Sequence, residues 1–191
     1  MEIIIASVIA ALASVFGILV KAKIDKSHKS CKLTKHTIQN EDVYKALEYT
    51  LKELEADRVV VYEFHNGDVY YSGSSQQKFS NTYEVLSEGV SSEIKNQQNL
   101  RVSSFNRFIK PLIDNDEYHF GEINNIDNVG IKEFFEDQGT KSTFCVPIKL
   151  LTGKIIGILG IDYVKQPKLI AENEKKFVKN QSSIISGYLK Q

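Results

Sequence analysis

Residues 139 to 164 read GTKSTFCVPIKLLTGKIIGILGIDYV. Two runs rich in β-branched and aromatic residues flank Thr152-Gly153, the pattern of two long strands joined by a tight turn. The second run is apolar on both faces, so it belongs in the middle of a sheet that is covered from both sides. Farther on, residues 171–190 place Phe177, Ile184 and Tyr188 at helical spacing, with Val178, Ile185 and Leu189 beside them. A central strand pair followed by an amphipathic helix is the frame into which the rest of the chain must fit.

Upstream of this frame, VGIKEFFEDQ (129–138) predicts a short helix ending at Gly139, a natural residue for the position after a helix C-terminus. Residues 114–128 are acidic and Asn-rich, which predicts an exposed loop holding one short strand. SSFNRFIKPLI (103–113) predicts a helix capped by Ser104, with Phe105, Phe108, Ile109 and Leu112 as its apolar face. In TYEVLSEGVSSEIKNQ (82–97) the spacing of Val85, Leu86, Val90 and Ile94 predicts a helix broken at Gly89.

RVVVYEF (58–64) is a strand. Asn66-Gly67 after it predicts a two-residue type I′ hairpin, whose central residues both need φ > 0, with VYYSG as the returning strand. In that register His65 faces Asp68 and Tyr62 faces Tyr71. An imidazole beside a carboxylate at a hairpin tip needs no catalytic purpose, and no Ser or Cys nucleophile is tied to it by a recognisable motif. A helix capped by Asn40 and running to Ala56 precedes the strand, with Val43, Leu47, Thr50 and Leu54 as a buried stripe.

At the N-terminus, Ile3 to Val20 is an uncharged apolar run of 18 residues. As a helix it spans about 27 Å, enough to cross a hydrocarbon core. A cleaved signal peptide would begin with a basic segment, whereas this chain begins Met1-Glu2, and a buried core helix would not be followed at once by lysines. Lys21, Lys23, Lys26, Lys29, Lys32 and Lys35 all lie on the C-terminal side, which predicts an N-terminus outside and a domain in the cytoplasm. Three residues turn a helix by about 300°, so the regularly spaced lysines wind around the axis as a solvated stalk near anionic headgroups. Ala6, Ala10 and Ser14, and again Ala13 and Gly17, recur every four residues, a spacing that lets two membrane helices approach closely.

Composition narrows the function classes. Hydrophobic residues are 42% and charged residues 25%, an ordinary globular balance. The net charge of zero divides into +4 for residues 1–36 and −4 for 37–191, and a domain with that sign has no electrostatic footprint for nucleic acid. Two cysteines, Cys31 and Cys145, and four scattered histidines carry no metal-ligand spacing, so no metal or cofactor is expected and the thiols are read as free.

The 139–164 stretch and the helix after it resemble the C-terminal half of a GAF domain. That family pairs a strand holding a Val-Pro-Ile-like core with a Gly-containing strand ending in an acidic or polar residue. The opening helix, RVVVYEF and its hairpin fit the first half, so the resemblance spans residues 40–190. FHNG followed by TYEV is similar to membrane-anchored GAF-like proteins of phages and bacteria. The resemblance implies an α+β fold: an N-terminal transmembrane helix, then a GAF-like domain with a central antiparallel sheet. Terminal helices lie on one face of that sheet, and loops and short helices lie over a ligand pocket on the other. The expected divisions are an anchor at 1–20, a basic stalk at 21–39 and the domain at 40–191.

GAF domains bind cyclic nucleotides, tetrapyrroles or small metabolites, or dimerise. This sequence lacks the Asn-Lys…Phe…Asp-Glu pattern of the cyclic-nucleotide binders. Cys145 lies in a strand rather than at the helical position of a chromophore attachment, and the chain has fewer cysteines than the free methionine sulfoxide reductases of this fold. No kinase, cyclase or DNA-binding motif is found within the 191 residues. The expectation is a non-enzymatic sensory or regulatory domain on the cytoplasmic membrane, single-pass and homodimeric, that binds a small ligand and signals through an unidentified protein partner or its own dimer. The alternative is a ligand-free interaction module that recruits a partner to the membrane, as a phage accessory protein would. Candidate ligand contacts are Glu63, His65, Tyr83, Glu84, Cys145 and Asp162; Glu63, in strict alternation with Val59 and Val61, falls on a covered strand face where a carboxylate needs a partner.

Overall fold

The computed structural model describes residues 2–189, with side chains described at 15–21, 23, 33, 34 and 36–189. The chain divides into two compact units, Met1–Glu41 and Asp42–Gln191. The first is helical, part of helix α1 (Glu2–Leu54). Its described apolar side chains, Val15, Phe16, Ile18, Leu19 and Val20 among them, are exposed. Among the described residues no helix is long and apolar enough to cross a membrane. The side chains of residues 3–14, of Cys31 and of Lys26, Lys29, Lys32 and Lys35 lie outside the description, as does the small-residue spacing at Ala6, Ala10, Ala13 and Ser14. Asn40, expected to cap a helix, lies inside α1 instead.

The second unit follows as β1 (Arg58–Val69), β2 (Ser75–Leu86), β3 (Leu100–Arg101), α2 (Asn106–Asp114), β4 (Tyr118–Phe120), α3 (Val129–Asp137), β5 (Ser142–Lys149), β6 (Ile155–Tyr163) and α4 (Glu172–Leu189), with 3-10 turns at Val102–Phe105 and Ile123–Asn125. The six strands form one antiparallel sheet in the order β3-β2-β1-β6-β5-β4. β6 is central, as its two-sided apolarity requires.

The sheet separates two cores. On the helix side, Val43, Leu47 and Leu54 of α1 and Val178 and Ile185 of α4 cover Val59, Val61, Val146, Leu159 and Ile161. On the loop side, α2, α3 and β4 bring Phe108, Leu112, Phe120, Ile131 and Phe135 against Val60, Tyr62, Phe79, Cys145 and Ile158. The stripe expected on α1 is buried throughout, Thr50 included. On α4 the buried positions are Val178, Gln181, Ser182, Ile185 and Ser186, whereas Ile184 is 45% exposed.

Three further expectations are corrected. Asn66-Gly67 does not turn the chain. β1 runs through it, and the reversal comes at Tyr70–Ser74, where Tyr70 N–H bonds Ser74 O at 2.9 Å, Gly73 N–H bonds Tyr70 O at 2.8 Å and Gly73 has φ +81°. Leu150–Lys154 closes β5 and β6 with the same two bonds and Gly153 at φ +84°. Both are three-residue loops with a left-handed glycine. His65 therefore pairs with Lys78 rather than Asp68, and Tyr62 with Asn81 rather than Tyr71. Gly67 is absent from the positive-φ residues; its requirement is room, since a Cβ there would lie 2.4 Å from Gln76 O. The longer ladder wins because it pairs β1 with Phe79, Asn81 and Val85 instead of stopping after a few residues.

Second, the expected helix at 82–97 is strand β2 up to Leu86, followed by turns. Third, Ser104 caps nothing: it lies in the 3-10 turn, and α2 begins at Asn106 without a side-chain cap. The short strand in the acidic loop, the helix ending before Gly139 and the strand pair at 142–163 all form as expected.

Candidate functional site

Alternation along β1 sends Arg58, Val60, Tyr62 and Phe64 to the loop side of the sheet. β6 contributes Ile158 and Asp162 there, and β5 contributes Thr143 and Cys145. β2 adds Asn81 and Glu84, three residues apart, which a regular strand would place on opposite faces. A bulge resolves the conflict: Val61 pairs with Tyr83 and Tyr62 with Asn81, so Thr82 is the extra residue and alternation restarts beyond it.

The result is a buried polar seam. Arg58, 1% exposed, has its Nε 3.6 Å from Glu84 Oε1 and its Nη1 3.5 Å from Asp162 Oδ2. Its remaining donors reach the backbone oxygens of Ser91 and Gln138, each at 3.2 Å, and the Gln138 and Thr140 side chains. Thr143 Oγ1 donates to Asp162 Oδ1 at 2.6 Å. Burial pushes the Asp162 carboxyl above its ordinary range, with Arg58 and Thr143 offsetting part of that. Two carboxylates share one guanidinium, a choice of cation suited to buried pairing.

Farther along, Tyr62 Oη donates to Gln97 Oε1 at 2.8 Å, and Asn81 Nδ2 donates to the same oxygen at 3.0 Å. Glu84 accepts from Glu93 N–H and from the Ser92 hydroxyl. Residues 87–99 are thus held over the seam largely by hydrogen bonds; of their side chains only Gln97 is fully buried. Three buried polar atoms, Arg58 Nε, Asn81 Oδ1 and Gln97 Nε2, have no hydrogen-bond partner among the described residues. Arg58 Nε keeps its ion pair with Glu84, and each of the other two costs about 1–3 kcal/mol unless something satisfies it.

At the opposite, hairpin end of the same sheet face, a cleft of about 330 Å³ opens between the end of β1, the start of β6 and helix α2. Phe64, Val102, Ile109, Leu112, Ile113, Ile155, Ile156 and Ile158 supply its apolar lining, and His65, Asn66, Gln77 and Lys154 supply the polar groups. Its size and mostly apolar walls are those of a small-molecule site. The loops at 70–74 and 150–154 lie at this end of the sheet, with Tyr71 and Leu151 fully exposed on them.

The six residues expected to contact a ligand do not form one site. Glu84 and Asp162 meet through Arg58. Cys145 is buried nearby, 3.5 Å from Thr143 Oγ1, and burial with the Asp162 charge pushes its thiol far above the usual range, so it is a packed thiol rather than a thiolate. His65 lines the cleft and bonds Ser80 Oγ at 2.9 Å. Glu63 and Tyr83 lie on the helix side, where Tyr83 packs on the aliphatic core; its hydroxyl is raised by burial and by the Glu63 charge. Among the described residues no group of three His, Cys, Asp or Glu is placed to hold a metal ion.

Arg58, Asn81, Gln97 and Tyr62 were not anticipated. The signal for Arg58 is its rarity, one of three arginines in a chain with 21 lysines, at the head of an apolar strand. For the two amides no signal distinguishes them from surface residues.

The GAF domain model matches residues 41–185. Among solved structures, the blue-light-absorbing form of the PixJ GAF domain of Thermosynechococcus elongatus aligns with a TM-score of 0.65 at 16% identity, over 82% of this chain and 88% of that one. A GAF domain region of a protein described as a membrane protein, from Geobacter sulfurreducens, aligns with a TM-score of 0.59 at 13% identity, over 83% and 97%. The photoproduct state of a GAF domain of Slr1393 from Synechocystis gives 0.62 at 12% identity, over 79% and 92%. At such identities the shared property is the fold. No match was found among curated proteins.

Proposed function

The chain belongs to the GAF domain family through residues 41–185, and on that premise we propose that it is a sensory or regulatory domain that binds a small ligand on the loop side of its sheet. The observation that carries this reading is the apolar cleft of about 330 Å³, on the same sheet face as the buried polar seam. A ligand entering the cleft meets Phe64 of β1 and Ile155 of β6. The reading involves no catalytic step.

The apolar run at 3–20 followed by lysines supports a tether that leaves the domain on the cytoplasmic side. Labelling of Cys31 from outside intact cells would overturn that orientation. Tyr49 packs edge-on against Phe177 at 5.7 Å and, with Ile184, leaves an exposed apolar surface on the outer side of α1 and α4, which supports a homodimer through those helices. A monomer by light scattering at tens of micromolar contradicts it.

The test of ligand binding is a thermal-shift screen of the full chain in lipid nanodiscs against nucleotides, carboxylates and other metabolites. A compound at about 100 times its dissociation constant adds about 2.7 kcal/mol. No shift with any compound favours the second reading, a ligand-free module that recruits a protein partner. The aromatic packing of Phe79, Phe105, Phe108, Phe134 and Phe135 over much of the loop side favours that reading.

A further inference from the structure

We propose that the cleft takes a single-chain amphipathic monoanion, a medium-chain carboxylate whose hydrocarbon lies on the isoleucine wall and whose head group meets Lys154. This rests on the ligand-binding reading and specifies its chemistry. Three observations carry it.

The first is the wall. Ile113 of α2 and Ile155 of β6 flank the cleft, with Ile109, Leu112 and Ile158 buried at its floor. Aliphatic side chains on both sides offer a chain of methylenes about 0.8 kcal/mol per buried group, and they offer a flat polar ring no hydrogen bonds. The second is volume. A water-sized group occupies about 30 Å³, so about 330 Å³ holds on the order of ten heavy atoms. That admits one medium-length chain and excludes a two-chain phospholipid.

The third is charge. The lining includes no carboxylate, and its one fixed charge is Lys154, which has no ion-pair partner among the described residues. The other polar groups are already occupied among themselves or with neighbours: Gln77 Nε2 donates to Asn66 Oδ1 at 3.3 Å, and His65 is bonded to Ser80. An anionic head gains this exposed ammonium as a partner at the mouth of the cleft, whereas a cationic head is repelled by it. The exposed Leu151 in the adjoining loop extends the apolar surface out from the mouth.

The experiment is methyl NMR of the full chain in zwitterionic nanodiscs, labelled at isoleucine. Decanoate, decanol and decylamine are the probes, each corrected against empty discs. Decanoate is expected to shift the methyls of Ile109, Ile113, Ile155 and Ile158 while leaving those of Ile148, Ile161 and Ile185, on the other face, in place. Decanol should bind at least threefold more weakly and decylamine at least tenfold more weakly. Lys154→Glu, at an exposed loop position, should weaken decanoate at least fivefold and leave decanol unchanged. Equal binding of all three probes, or no effect of Lys154→Glu, overturns the anion assignment while leaving the cleft a ligand site. Shifts on both faces alike, or none, overturn the cleft itself. A metabolite that stabilises the protein in the thermal screen without moving these methyls would then keep the ligand-binding reading and move its site elsewhere.

Discussion

The two faces of the sheet are built from different materials. The helix side is a continuous aliphatic core in which Val43, Leu47, Val59, Val61, Leu159 and Ile161 are fully buried and the covering helices add Val178 and Ile185. The loop side mixes aromatic rings with a guanidinium, two carboxylates and the amides of Asn81, Gln97 and Gln138, and at its hairpin end it leaves a cleft. An aliphatic core of this kind has no second arrangement of similar energy. A polar seam that is satisfied only in part can exchange its partners when a ligand or water arrives. On the proposed reading, the helix side is the scaffold and the loop side is the receiving surface.

The contrast is sharpest at Arg58. Arg58→Ala should cost about 3–5 kcal/mol, because it leaves Glu84 and Asp162 buried without their cation. Combining Arg58→Met with Glu84→Gln and Asp162→Asn should recover most of that loss. Chemical denaturation measures both; a triple variant as unstable as the single one would mean that the seam acts through shape rather than charge.

On the scaffold side the mechanism is different. Leu47→Ala should cost about 3 kcal/mol through an unfilled cavity, and the cleft methyls should respond to ligand as before. Loss of that response at unchanged native population would show that the faces are coupled more tightly than their packing implies.

At the rim of the cleft the effects are smaller. Gly67→Val should cost about 1–3 kcal/mol, since the new side chain collides with Gln76 O and the hairpin must shift. His65→Ala, two residues away, removes one bond to Ser80 and should cost about 1 kcal/mol or less. Equal losses would mean that the histidine anchors the hairpin.

The smallest effect is one of pH. Burial alone would raise the Asp57 carboxyl. The N–H groups of Lys165 and Val164, both at 2.8 Å, the Ser87 hydroxyl and the Lys165 charge outweigh it and hold Asp57 below its ordinary range. A carboxyl depressed in the folded state contributes stability that is present above its unfolded value of about 3.9 and is lost as pH falls through the folded value. Acid titration of stability should therefore steepen below about pH 4, and Asp57→Asn should flatten it. An unchanged profile would show that other carboxylates set the acid limit.

Much of the scaffold is legible in the sequence because its signals are periodic. The two-sided apolar β6, the stripe at Val43, Leu47, Thr50 and Leu54, and Gly139 after α3 each follow from one repeating requirement. The receiving surface is not, because its key positions depend on an exception. The bulge at Thr82 makes Asn81 and Glu84 share a face at a spacing of three, which imitates a helix and hides a strand. Asn66-Gly67 carries a strong turn signal that the longer β1–β2 ladder overrides, and Ser72-Gly73 closes the hairpin instead. Glu84 and Asp162 stand out as carboxylates in strands, but their shared partner, Arg58, depends on register that only the fold supplies.

Amide hydrogen exchange on the full chain tests the division of labour between the faces most directly. Residues 87–99 are held by Glu84, Asn81 and Arg58 with little apolar burial, so their amides should exchange through a local opening well below the free energy of global unfolding. Amides of β6 and of the buried face of α4 should exchange only through global unfolding. Equal protection of 87–99 and β6 would contradict the account, because the loop side would then be as closed and rigid as the scaffold behind it.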